Sequence, residues 1–140
     1  MLRTCPIIAF VATTAPRRAR AFYADKLGLR LVGEDAFALE FDAGDTMLRV
    51  ATVRELRPAG YTVLGWLVPN IRRAIGRLRR RGIAMRRYPG MEQDEHGIWA
   101  SPSGARIAWF ADPDGNTLSL TEMGDASGRR KPKRQLKSTR

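Results

Sequence analysis

The apolar positions of this chain fall into two copies of one order. Ile7 to Thr14 (IIAFVATT) is rich in β-branched residues and predicts a strand. Beyond it Ala19, Phe22, Tyr23 and Leu27 recur at helical spacing, with Thr14 as the expected cap, Pro16 in the first turn and Gly28 as the stop. The order then returns. Tyr61 to Val68 (YTVLGWLV) reads as a strand, and Ile71, Ala74, Ile75 and Leu78 mark one face of a second helix stopped by Gly82.

The offset is 55 residues from Ile8 to Val63 and 54 from Gly28 to Gly82. Each stop is followed by an apolar restart (Leu29, Ile83) and then by hairpin-like strands. The hairpins Phe41 to Val50 (FDAGDTMLRV) and Ala111 to Leu120 (ADPDGNTLSL) also match, at an offset of 70. Each half therefore reads as βαβββ, and the second is 16 residues longer. The extra length is assigned to Pro89 to Gly104 (PGMEQDEHGIWASPSG), which contains His96, Trp99 and three acids. Insertions on a repeated scaffold are common places for function, and also common as plain surface loops.

Length and composition bound the rest. With 140 residues, 44% hydrophobic and 28% charged, the chain has the makeup of one globular domain. The domain is assigned to residues 1–123, with modules at about 5–55 and 60–122. The formal charge is +11, but residues 124–140 hold seven basic residues against one acid. More than half of the excess thus lies in a segment without apolar periodicity, expected to be a flexible tail that meets nucleic acid only nonspecifically, through phosphates. It has no aromatic residue on which bases could stack. Cys5 is the only cysteine, so an intrachain disulfide is impossible and a cytoplasmic setting is expected. No apolar run approaches the ~18 residues of a membrane span.

FYADKLGLRLV (Phe22 to Val32), the DPDGNTLSL hairpin (Asp112 to Leu120) and the doubled βαβββ order together resemble the glyoxalase, bleomycin-resistance and extradiol-dioxygenase superfamily, the vicinal oxygen chelate fold. The resemblance covers about residues 5–122. It implies an α+β fold in which two modules form one domain, with curled sheets walling a cleft, and commonly a homodimer. It also implies a divalent metal held by a first-strand histidine and a last-strand glutamate of each module. Those positions fall on Ile8, Val63, Arg49 and Ser119. Isoleucine, valine and arginine offer a hard or borderline cation no donor, and serine is a poor one. No metal and no other cofactor is expected.

The candidate site follows from that placement. Ile8, Phe10, Arg49, Val63 and Ser119 are the expected cleft positions, and Trp99 is the aromatic expected to cover a ligand. Arg49 shares a strand face with Met47 and Ala51, so within a cleft it needs an anion, either an internal carboxylate or a ligand; the alternative is an edge arginine reaching water. Trp66 is expected in the core, and of Trp109 and Phe110 only one can reach the cleft. Arg106 is equally compatible with an exposed position. His96, beside Asp94 and Glu95, is the candidate general base, and Glu92, Asp94 and His96 form a possible metal set without a recognised ligand spacing. Two functions stay open: a metal-independent binding protein for a small organic anion with an apolar or aromatic body, or a glyoxalase-like lyase or related enzyme using His96 or a metal recruited by the insertion. Nucleic-acid association through the tail is a third.

Overall fold

Strand 1 (β1, Ile8–Thr13) leads into helix α1 (Pro16–Arg20), which runs on as a π-helical turn over Ala21–Lys26. Strands β2 (Arg30–Glu34), β3 (Ala38–Ala43) and β4 (Thr46–Thr52) complete the first module. The second repeats it with β5 (Thr62–Leu67), α2 (Ile71–Arg80), β6 (Trp99–Ala100), β7 (Arg106–Ala111) and β8 (Thr117–Glu122). This computed structural model describes residues 1–124. The expected flexible tail lies outside them, apart from Gly124.

The two sheets have the same topology, β1-β4-β3-β2 and β5-β8-β7-β6, with the first strand of each module parallel to its last. Two βαβββ modules of an α+β domain are thus what the chain forms. Both glycine stops have the left-handed backbone that only glycine adopts freely, with φ of 79° at Gly28 and 85° at Gly82.

Alternation along each strand puts one set of side chains inward. Val11, Phe41, Leu48 and Val50 from the first sheet meet Phe110, Leu118 and Leu120 from the second, together with Phe22, Tyr23, Ile71 and Ile75 from the helices, in one cluster. Trp66 lies on this side, stacked on Phe110 with ring centroids 6.3 Å apart. The helices therefore cover one face of each sheet and leave the other open.

Expectation and structure part at the start of α1. Its N-cap is Ala15, without a side-chain cap. The Thr14 hydroxyl instead donates to Asp114, a hundred positions away in the turn between β7 and β8. That turn is the lock between modules. The carboxylate of Asp112 accepts from the amides of Asp114 and Asn116, from the Asn116 side chain and from the Tyr23 hydroxyl. Asn116 donates back to the carbonyl of Ala12 in β1.

The insertion is tied to the rest of the second module. Gln93 holds it down, its carbonyl accepting from the amide of Tyr88 and its NH2 donating to the carbonyls of Arg86 and Gly97. Ile98 enters the core, and the next residues form β6 at the sheet edge.

Candidate functional site

On β1 the outward positions are Ile8, Phe10 and Ala12, and the parallel ladder sets them beside Met47, Arg49 and Ala51 of β4. Phe10 is the cross-strand partner of Arg49. The open face is apolar at this point: Phe10 is 60% exposed, Ile8 47% and Met47 37%. A contiguous patch of large apolar side chains in water beside a cation is the kind of surface that meets a ligand or a partner.

Arg49 has an internal carboxylate as well. Glu40 lies opposite it on β3, and its carboxylate accepts from one terminal nitrogen of the guanidinium. Gly33, on β2, makes room for that carboxylate: a Cβ there would stand 3.1 Å from Glu40 Oε1. One edge of the arginine fork is held, and its remaining N–H donors stay beside Phe10 on a side chain that is still partly exposed. A second pair, Arg30 to Asp42 at 3.1 Å, continues the charged row toward the sheet edge.

The second sheet has an aromatic open face. Trp109 is directed outward while its neighbour Phe110 is fully buried, as period-two alternation requires. Its indole N–H donates to the Thr62 hydroxyl at 3.1 Å. Trp99 lies beside it at 6.3 Å between ring centroids, and Tyr88 meets it edge-on at 5.6 Å. Trp99 thus forms part of the wall at β6. Ser119 is Trp109's register partner on β8 and is buried. On its other side is Gly65, where a Cβ would come within 2.5 Å of the Ser119 hydroxyl, so a side chain there would force that hydroxyl to turn away. Val63 occupies a bulge between Thr62 and Leu64.

The predicted residues therefore form two groups. Ile8, Phe10 and Arg49 share the open face of the first sheet, while Ser119 and Trp99 border Trp109 on the second. β1 and β5 run next to each other where the modules meet, so the two faces are neighbours. Arg106 belongs to the opposite side, where it approaches Glu122 at 3.9 Å while Glu122 accepts from the amide that opens α2.

His96 stands apart from both groups. Its Nε2 lies 3.6 Å from Glu95. Asp94 organises the loop by accepting the amides of His96 and Ile98. Burial pushes the Asp94 carboxyl up, but those two bonds and the charges of His96 and Arg72 outweigh it and hold it below the ordinary carboxylate range. Among the described residues no three His, Cys, Asp or Glu side chains are placed to hold a metal ion.

Three site residues were not legible from one strand at a time: Glu40, Trp109's neighbour Tyr88, and Thr62. Glu40 had a usable signal. A hairpin turning at Gly44 and Asp45 pairs Ala43 with Thr46 and so, three steps back, Glu40 with Arg49.

The Glyoxalase/Bleomycin resistance protein/Dioxygenase superfamily model matches residues 7–120, and the chain belongs to that family. Solved structures share the fold. TnmS3, an antibiotic binding protein from Streptomyces sp. CB03234, is 22% identical at TM-score 0.67, covering 89% of this chain and 99% of its own. A glyoxalase/bleomycin resistance protein/dioxygenase from Nocardioides is 19% identical at TM-score 0.68, covering 93% and 90%. Lactoylglutathione lyase from Agrobacterium tumefaciens is 18% identical at TM-score 0.65, covering 85% and 93%. No curated protein matches. No helix of the described residues is long and apolar enough to cross a membrane.

Proposed function

We propose that this member of the superfamily is a metal-independent binding protein for a small organic anion with an apolar or aromatic body, received on the open face around Phe10 and Arg49. The observation that carries the reading is their cross-strand pairing, which sets an exposed aromatic ring beside a guanidinium already aligned by Glu40. Arginine's planar fork suits carboxylate and phosphate, and Glu40 occupies only part of it. Ile8 and Met47 supply apolar contact beside the pair, and Ser119, Val63 and the Trp99–Trp109 wall lie on the neighbouring sheet. The chemistry of Ile8 and Val63 gives a divalent cation nothing to bind, and Arg49 would repel it.

The likeness to an antibiotic binding protein and to a lyase admits a binder or an enzyme. The enzyme reading has less behind it, because the side chain that His96 approaches is Glu95 of its own loop rather than Arg49 or Phe10. A second copy of the chain is the expected macromolecular partner, as a homodimer. The test is a thermal-shift screen of matched aryl carboxylates and aryl amines on wild type and Arg49→Ala. Carboxylates should stabilise the wild type and lose that effect in the variant. Preference for the amines, or undiminished carboxylate binding by the variant, would overturn the proposal.

A further inference from the structure

The side of the second module opposite the proposed site carries a groove of about 770 Å³ between α2 and the end of the π-helical turn. That volume is within the range of about 300–1,000 Å³ typical of small-molecule sites. Trp66 and Leu78 give it an apolar floor, and Lys26, Arg73, Arg77 and Arg80 stand around it. Among the described residues no acidic one lines it. Among the described residues, the arginines in ion pairs with carboxylates are Arg20, Arg30, Arg49 and Arg106, none of them in this groove.

The arginines are ordered. Positions 73, 77 and 80 recur at the spacing that keeps side chains on one stripe of a helix, over about 10 Å of its axis. Their distribution is not explained by helix stability. Cations in the last turn suit the helix dipole, which accounts for Arg77, Arg79 and Arg80. Arg73 is in the first turn, where the dipole disfavours it and where α2 has no acid at all. At one end of the groove Arg81 donates to the carbonyls of Asp25 and Lys26 at 3.3 and 2.9 Å and so joins the end of α2 to the π-helical turn.

We infer that this groove is a second binding site, for an organic polyphosphate: an apolar planar body against Trp66, with two or more phosphate groups along Arg73, Arg77 and Arg80. A nucleoside di- or triphosphate has that chemistry. A single carboxylate would answer one fork and leave the other cations close together and uncompensated. The chain's own C-terminal segment, with seven basic residues against one acid in 124–140, has the same sign of charge as the groove.

The experiment titrates full-length protein at near-physiological salt with ATP, ADP, pyrophosphate and adenosine, read by calorimetry and tryptophan fluorescence. ATP and ADP should bind one per chain, with adenosine and pyrophosphate each weaker by about tenfold or more, since each offers only half of the contacts. Arg73→Glu with Arg77→Glu should weaken ATP at least about tenfold with the melting temperature little changed, because both side chains are exposed and their effects on the helix dipole oppose each other. Arg77→Gln alone, the milder change, should give a smaller loss. Arg20→Gln, at an exposed arginine outside both sites, should bind ATP like wild type, and the charge-reversed pair is also read in an Arg49→Ala background, so that ATP received at the proposed cleft is not counted here. The inference is overturned if none of the four binds, if the charge-reversed protein binds ATP as wild type does, if pyrophosphate binds as tightly as ATP, or if a mixed-sequence oligonucleotide binds this face in preference to ATP.

Discussion

The hydroxyl of Tyr23 donates to the carboxylate of Asp112 at 2.7 Å, with both residues buried, and this contact fastens the first helix to the hairpin turn of the other module. The aromatic edge of Tyr23 packs on Phe22 and Phe41 while its polar tip crosses the module boundary. Asp112 keeps three other donors, so removing the hydroxyl leaves the turn standing but its carboxylate short of one bond. Tyr23→Phe should cost about 1.5–3 kcal/mol in chemical denaturation, the range for a hydrogen bond to a charged group.

The same contact sets an alkaline limit. Burial, then the Asp112 charge and hydrogen bond, push the Tyr23 phenol far above its ordinary range. A raised value means that the folded chain keeps a proton the unfolded chain releases, so this contribution is fully present below pH of about 10 and declines above it. Tyr23→Phe should show a shallower loss of stability than wild type between about pH 10 and 11.5. Equal slopes would show that the phenol is not held by the fold.

Asp114 sets the acid side. Burial raises its carboxyl, but bonds from the Thr13 hydroxyl and from the amide and hydroxyl of Thr14 outweigh that and lower it, with help from Arg18. A lowered value contributes stability above the unfolded carboxylate's range, and that contribution is lost as pH falls through the folded value. Asp114→Asn should therefore be less stable than wild type at pH 7, with the gap narrowing as the pH falls below about 4. A gap independent of pH would contradict it.

Phe10→Ala tests whether the open face is a binding surface. Phe10 is 60% exposed and outside the core cluster, so the substitution should shift stability by less than about 1 kcal/mol, far from the ~3–5 kcal/mol of a core phenylalanine. Affinity for an aryl carboxylate should fall about tenfold.

Among the described residues, every member of the buried cluster lies between Val11 and Leu120. Deletion of residues 125–140 should leave the melting temperature and the far-ultraviolet spectrum unchanged.

The strands, helices and glycine stops were legible because local rules set them: alternation at period two, recurrence near 3.6, and a left-handed backbone at Gly28 and Gly82. What depended on distant partners was not. Thr14 looks like a cap by its position, yet its hydroxyl goes to Asp114, which no local pattern can reveal. Trp99 looks like a loop residue because the spacing places it in an insertion, while pairing with Ile107 makes it part of the sheet. Arg49 was found by its strand face, and the carboxylate that aligns it came only from the register of the next strand.

Amide chemical-shift mapping of a bound aryl carboxylate tests the central claim most directly. Perturbations should centre on Phe10, Arg49 and Met47, extend across the junction to Ser119 or Trp109, and disappear in Arg49→Ala. Shifts confined to α2 and the His96 loop, or a pattern that survives loss of Arg49, would contradict the account.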